Sequence, residues 1–357
     1  MPRRLAWKRP GKVEVLEYQD RELQEDEVLV KTEYASGKHG TTLALFENVN
    51  FKGKRFDPAM RLFIDADDAA EPADDEPQNL GTTGVGTVIQ VGSGVTRWKE
   101  GDRVFGRMDT RETNICKADD LWELGDLDPL EALCIEPAYV AFHTVREANV
   151  RYGDTVAVIG LGAIGLLAVQ MAHQSGAELV IAVDPLEKRR EWAKRHGANY
   201  VLDPGQGDPA LEIHKLTGGP GVDVAIEVAG RTEALETAIR STRVGGTVCS
   251  AGFYQGEAKG LWLGREWHHN RLTMVVPHGC GWGHPPRDYP RWTEKRAYDA
   301  IVSLMRQGKL QADGLIDPVV PFEKGPDVFR LIQEDPGQVI KYAIRFESDE
   351  PRSRGRP

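Results

Sequence analysis

Residues 155–159 (TVAVI) are a continuous apolar run that leads directly into Gly160-Leu161-Gly162-Ala163-Ile164-Gly165. An apolar run of this length reads as a strand buried on both faces, as in parallel sheets covered by helices. Beyond the glycines, Ile164, Leu167, Ala168 and Met171 recur on one helical face. Strand, glycine turn and helix together are the context in which G-x-G-x-x-G carries meaning. Gly160 permits the tight turn, Gly162 lets a pyrophosphate approach the backbone, and Gly165 lets the helix pack on the strand. Unpaired N–H groups of the first helical turn then face the phosphates. Asp184 closes the next apolar run, about 20 residues on, where a carboxylate accepts hydrogen bonds from the adenosine ribose and repels a 2′-phosphate. The pattern predicts a dinucleotide site at Gly160, Leu161, Gly162, Ala163, Ile164, Gly165 and Asp184 that takes NAD(H) rather than NADP. Arg189 sits beside the adenosine in this reading, or is a surface charge.

The runs 200–202, 222–228, 247–251 and 272–276 bring the strands to six. Helical stretches, among them the charged segment 187–196, separate most of them, which requires a parallel sheet with right-handed crossovers. The chain before residue 140 has a different character. Short strands at 28–33 and 87–91, another opening at 101–104, and the turn Gly92-Ser93-Gly94 suggest a small β-barrel-like module. A helix over 294–307 and a short β-like end at 338–346 are expected to rejoin that module, and the polar tail 347–357 is expected to be disordered. The expected division is 1–140 with 288–357, and 141–287.

A length of 357 residues favours two domains over one. The formal net charge of −10 argues against a nucleic-acid partner, whose phosphates it would repel. No apolar run approaches the roughly 18–20 residues of a membrane helix, and residues 1–10 lack an apolar signal core. The acidic run 65–76 reads as a solvated loop. Cys116, Cys134, Cys249 and Cys280 include no C-x-x-C pair, so a structural zinc site of closely spaced cysteines is not expected. Scattered thiols fit a reduced compartment. These features predict a cytoplasmic protein with a small-molecule substrate, no nucleic acid and no membrane.

The order of modules resembles the medium-chain dehydrogenase/reductase superfamily from about residue 28 to 346. Its carriers are residues 81–94 (GTTGVGTVIQVGSG), Gly101-Asp102-Arg103-Val104, Glu136-Pro137, the loop 160–165, and Gly245-Gly246. Ile135-Glu136-Pro137 followed by Ala141-Phe142-His143 is similar to the polyol and threonine dehydrogenase branch. Residues 35–42 (ASGKHGTT) look, more loosely, like a bacteriochlorophyllide- or sugar-dehydrogenase-like branch. The resemblance implies an α/β protein with a GroES-like β-barrel catalytic domain and a Rossmann doubly wound parallel sheet. It extends the cofactor site to Ala229, Gly252 and Phe253. It also implies a homodimer or homotetramer, built through the edge strand near 272–276.

Zinc-dependent members take a first ligand from a cysteine where this sequence has His39. A second is the His of a G-H-E motif, which here reads Gly81-Thr82-Thr83, and a third matches Glu136. Shifting the first match by one residue would exchange His39 and Lys38. Catalytic zinc normally has three protein ligands and one open position, and threonine is a poor ligand. Zinc is therefore not expected. Thr41 matches the family's proton-relay hydroxyl. His39, Glu136 or Lys38 is then the base or the cationic stabiliser. Each has a second reading: His39 bonded to a backbone carbonyl, Lys38 in solvent, Glu136 ion-paired at a helix start. His143 is expected to be structural.

His268 and His269, read as strand neighbours, would point to opposite faces. His278, Cys280 and His284 lie in a Gly-rich loop poorly suited to a metal. Residues 47–62 carry Lys52, Lys54, Arg55 and Arg61 and read as a substrate wall or a surface loop. The leading function is a zinc-independent NAD-dependent dehydrogenase of a secondary alcohol on a sugar, polyol or cyclitol derivative. An NAD(P)H-dependent enoyl or quinone reductase and a silent NAD-binding protein are the alternatives.

Overall fold

The computed structural model describes residues 1–8, 12–38, 53–65, 77–277 and 287–347. The chain divides into two compact units, Met1–Cys134 with Asp313–Pro357, and Ile135–Ala312. Among the described residues no helix is long and apolar enough to cross a membrane.

The first unit is mostly antiparallel sheet. Its longest strand, Glu27–Ser36, pairs with Thr83–Val91, Thr113–Lys117 and the late strand Lys341–Arg345. Ile344 lies opposite Ala35 and Arg345 opposite Tyr34, so the end of the chain closes a sheet begun near its start. One core joins Leu5, Phe322, Phe329, Tyr342 and Ile344, all 3% exposed or less. The expected loop at 47–62 is partly a hairpin: Lys54–Asp57 pairs with Leu62–Asp65, and Phe56 and Phe63 pack at 5.1 Å. Its residues 47–52 lie outside the described residues.

The second unit contains the parallel sheet. Its strands are β1 (Thr155–Ile159), β2 (Leu179–Val183), β3 (Tyr200–Leu202), β4 (Val222–Glu227), β5 (Thr242–Ser250) and β6 (Thr273–Val275). Their spatial order is 3-2-1-4-5-6, every pairing parallel. This is the doubly wound order whose switch point lies between β1 and β4. The helices are α1 (Ile135–Glu147), α2 (Ala163–Gln174), α3 (Glu187–Arg195), α4 (Pro209–Leu216), α5 (Thr232–Ser241), α6 (Glu266–His269) and α7 (Glu294–Arg306). Val156, Ala157 and Val158 are wholly buried, as the unbroken apolar run requires.

Two expectations need correction. Helix α7 belongs to the second unit, so the return to the first unit comes after residue 312 and not at 288. The reason is packing: α7 buries Ala297, Tyr298, Ile301, Val302 and Met305, and Tyr298 stacks on Tyr139 of α1 at 4.4 Å. The Gln170 side chain also accepts from the Gln311 N–H (2.8 Å) and donates to the Gln311 carbonyl (3.1 Å), fixing the segment beyond α7 to α2. His268 and His269 sit on the single-turn helix α6, not on a strand, while Trp267 between Glu266 and His268 packs against the sheet core.

The seam before Glu27–Ser36 rests on a buried charge. Glu27 is 4% exposed and accepts from Arg21 Nη1 at 2.6 Å, Arg21 Nη2 at 2.7 Å and the Gln24 N–H at 2.9 Å. The Arg21 hydrogen bond, aided by that N–H, holds the Glu27 carboxyl at about 2, below its ordinary 4.5. A carboxyl depressed on folding contributes stability above the unfolded value and loses it as pH falls towards the folded one. Glu27→Gln should therefore lower Tm at pH 7. The gap to wild type should close as pH falls from 4.5 to about 2, read by thermal melts across that range. A gap constant with pH would mean the pair stabilises by packing alone.

Candidate cofactor site and catalytic residues

The glycine loop follows β1 with the geometry its sequence implies. Gly160 has φ +94°, and its N–H donates to the Val183 carbonyl at 2.9 Å, tying the turn to β2. A Cβ on Gly160 would lie 2.7 Å from the Ala229 nitrogen, and one on Gly165 would lie 1.9 Å from the Gly160 oxygen. These two positions are closed by backbone. Among the described residues Gly162, by contrast, has no neighbour within 4 Å of where a Cβ would stand, and it opens α2 with no side chain capping the helix. The first-turn N–H groups thus face an open space with the helix's positive end behind them. A pyrophosphate fits this cradle, while a side chain at Gly162 would occupy its approach.

Asp184 ends β2 and is 4% exposed. Its Oδ2 accepts from the Leu161 N–H at 2.8 Å and its Oδ1 from the Leu186 N–H at 2.9 Å. The carboxylate that the sequence points to as the ribose acceptor also holds the glycine loop. Arg189 Nη1 lies 3.7 Å from Asp184 Oδ2. Leu161 is wholly buried, so it serves the site through its backbone. Ala163 and Ile164 form the first turn of α2. Ala229 follows β4, Gly252 and Phe253 follow β5, and Phe253 is 43% exposed.

Glu136 opens α1 at 7% exposure, and Lys38 follows the strand Glu27–Ser36 in the first unit. His39 and Thr41 lie outside the described residues, as do His278, Cys280 and His284. His143 is 2% exposed with its ring edge-on to Tyr139 at 4.5 Å, and burial holds its imidazole below the ordinary value. A neutral, buried ring fits the structural role expected of it. Among the described residues the buried Thr82 hydroxyl has no hydrogen-bond partner.

Sequence reasoning passed over Glu227 and Tyr254. Glu227 ends β4, is wholly buried, and accepts at Oε1 from the N–H groups of Ala229 and Gly230, both at 2.8 Å. The Tyr254 hydroxyl donates to Oε2. Burial pushes the Glu227 carboxyl up, against the pull of those hydrogen bonds, and burial with the adjacent carboxylate pushes the Tyr254 phenol up. The signal was present: VDVAIE places an acid at the end of a buried strand, where an unpaired charge is costly.

The alcohol dehydrogenase GroES-like domain model matches residues 24–128, and the zinc-binding dehydrogenase model matches residues 163–294. A D-guloside 3-dehydrogenase of Escherichia coli K12 is 37% identical over 344 residues, covering 94% of this chain and 98% of that protein. The chain belongs to the medium-chain dehydrogenase/reductase superfamily, in its zinc-type alcohol and polyol dehydrogenase branch. This medium-chain dehydrogenase is an oxidoreductase acting on CH–OH groups of small molecules, with a nicotinamide cofactor. An (R,R)-butanediol dehydrogenase of Bacillus subtilis is 30% identical over 297 residues, 74% of this chain and 78% of that protein. The crystal structure of 2R,3R-butanediol dehydrogenase from the same organism superposes with a TM-score of 0.74 at 24% identity, over 97% of this chain and 99% of that one. That of an oxidoreductase of unknown specificity from E. coli reaches 0.77 at 20% identity, over 98% and 100%.

Two substitutions separate packing from ligand approach. Gly165→Ala should lower the Tm of the ligand-free protein, since overpacking costs about 1–3 kcal/mol. Gly162→Ala should leave that Tm nearly unchanged and weaken NADH binding about tenfold or more, the scale of one lost hydrogen bond to a charged group. Calorimetric melts and NADH titrations read both. Equal loss of Tm in the two variants would contradict the open cradle.

Proposed function

We propose that the protein is a NAD(H)-dependent, zinc-independent dehydrogenase of a secondary hydroxyl on a sugar, polyol or cyclitol derivative. The observation that carries the cofactor reading is the open cradle at Gly162 beside Asp184. Asp184 supplies a buried negative charge where NADP would place its 2′-phosphate, so NAD is favoured. Similarity to a D-guloside 3-dehydrogenase supports a ring hydroxyl of a hexoside as the first substrate to try.

When bound, the nicotinamide supplies a hydride acceptor. A base of the chain would take the proton of the substrate O–H. Glu136 is the proposed base or stabiliser, with Thr41 relaying the proton and His39 or Lys38 assisting. Zinc does not fit the donor set. The position of the family's histidine ligand holds Thr82, a neutral hydroxyl that zinc rarely takes.

The buried thiols Cys116, Cys134 and Cys249 support a cytoplasmic setting. The sheet pairing ends at β6 among the described residues, which supports a homodimer through that edge. Light scattering that gave a monomer at working concentration would refute it.

The functional test follows NADH formation from NAD, after exhaustive chelation, with alkyl D-gulosides, other hexosides, polyols and cyclitols. Turnover should persist without metal and be at least about tenfold better with NAD than with NADP, a preference of one Asp–phosphate repulsion. Activity that returned only with added zinc would refute the zinc-free mechanism. Glu136→Gln should lower turnover by about 100-fold or more, the low end of general-base catalysis, with NADH affinity unchanged. Unchanged turnover would remove Glu136 from the chemistry.

A further inference from the structure

Glu227 lies beneath two loops that leave the sheet on the same side of its switch point. Its Oε1 accepts from the N–H groups of Ala229 and Gly230, two consecutive donors that together form an anion nest. Gly230 has φ +69°, the left-handed turn such a nest needs. Its Oε2 accepts from Tyr254, on the loop after β5, and Ser250 lies 2.9 Å from the same phenol oxygen. The Glu227 carbonyl also accepts from the N–H groups of Ala251 and Gly252. One residue therefore binds both loops, by its side chain and by its backbone.

The loops are in contact through missing side chains. A Cβ on Gly252 would lie 2.4 Å from Gly230 Cα and 2.5 Å from Glu227 Oε2, and one on Gly160 would meet the Ala229 nitrogen. Loops 228–231 and 251–254 share the buried carboxylate as their hub, and loop 160–165 packs against the first of them at Ala229. A doubly wound sheet binds the two halves of a dinucleotide on the two sides of its switch point. Asp184, at the end of β2, marks the adenosine side. β4 and β5 lie on the other side, which is the nicotinamide side.

We propose that Glu227 is a positioning residue for the nicotinamide half of the cofactor, acting through Tyr254 and the backbone of residues 229 and 230. It is wholly buried and does not touch the reacting atoms itself. The proposal rests on the nicotinamide-dinucleotide reading of the site.

The test measures binding of NADH and of ADP to the full-length protein by titration calorimetry. ADP carries the adenosine and the diphosphate and lacks the nicotinamide nucleoside. Tyr254→Phe removes one tie and keeps the ring. It should weaken NADH about tenfold, the scale of one hydrogen bond to a carboxylate, with ADP unchanged within about twofold. Glu227→Gln keeps an oxygen acceptor for the two N–H groups. Its amide can donate to the Tyr254 oxygen, whose proton then turns to Ser250. This variant should bind NADH within about threefold of wild type. Glu227→Ala leaves those N–H groups without an acceptor and should lose NADH more severely than Tyr254→Phe. Equal weakening of NADH and ADP by Tyr254→Phe would make the contact merely structural and overturn the proposal, as would no effect on either. Wild-type protein that failed to bind NADH at all would overturn the cofactor reading, and the proposal with it.

Discussion

The close approach of α2 to β1 is the contact on which the cofactor side of this molecule depends. Gly165 sits where any side chain would collide with the Gly160 carbonyl, and Gly160 sits where any side chain would collide with Ala229. With both positions bare, the helix starts directly over the switch point of the sheet, and its open end is presented at Gly162. Asp184 then does two things with one carboxylate. It holds the Leu161 N–H, which keeps the loop on β2, and in the proposed function it puts a negative charge on the adenosine side.

The far side of the switch point is organised by a similar economy. Glu227 is a charge in a place where charges are costly, and it is kept there by donors supplied from two loops. The two acids end neighbouring regions of one sheet, Asp184 after β2 and Glu227 at the end of β4. Each converts the end of a buried strand into a hydrogen-bonded anchor for loops. An oxidoreductase of this superfamily needs the two halves of its cofactor held in fixed relation, since hydride transfer is sensitive to small misplacement of the reacting atoms.

Much of this was legible beforehand, because it depends on local rules. An unbroken apolar run can only be a strand covered on both sides or a buried helix, and the glycine spacing that follows decides between them. The six strands, the helix after the loop and the placement of Asp184 all follow from such short-range signals. The histidines at 268 and 269 were misread because four residues carry no periodicity that separates a strand from one helical turn. The boundary near residue 288 was misread because the amphipathic face of α7 states only that it packs, not against what; Tyr139 decides that.

The sequence by itself determined the parallel sheet and the glycine turn that leads from its first strand into a helix, since each is written in consecutive residues. Tertiary structure alone decided that Glu227 meets Tyr254 27 positions along the chain, and that Gly252 must be bare for the two loops to touch. It also decided that Asp184 grips the backbone of Leu161 23 residues before it. The physical reason is that a parallel sheet brings the ends of sequence-distant strands within hydrogen-bond reach, and a pairing at that range leaves no periodic trace in the chain.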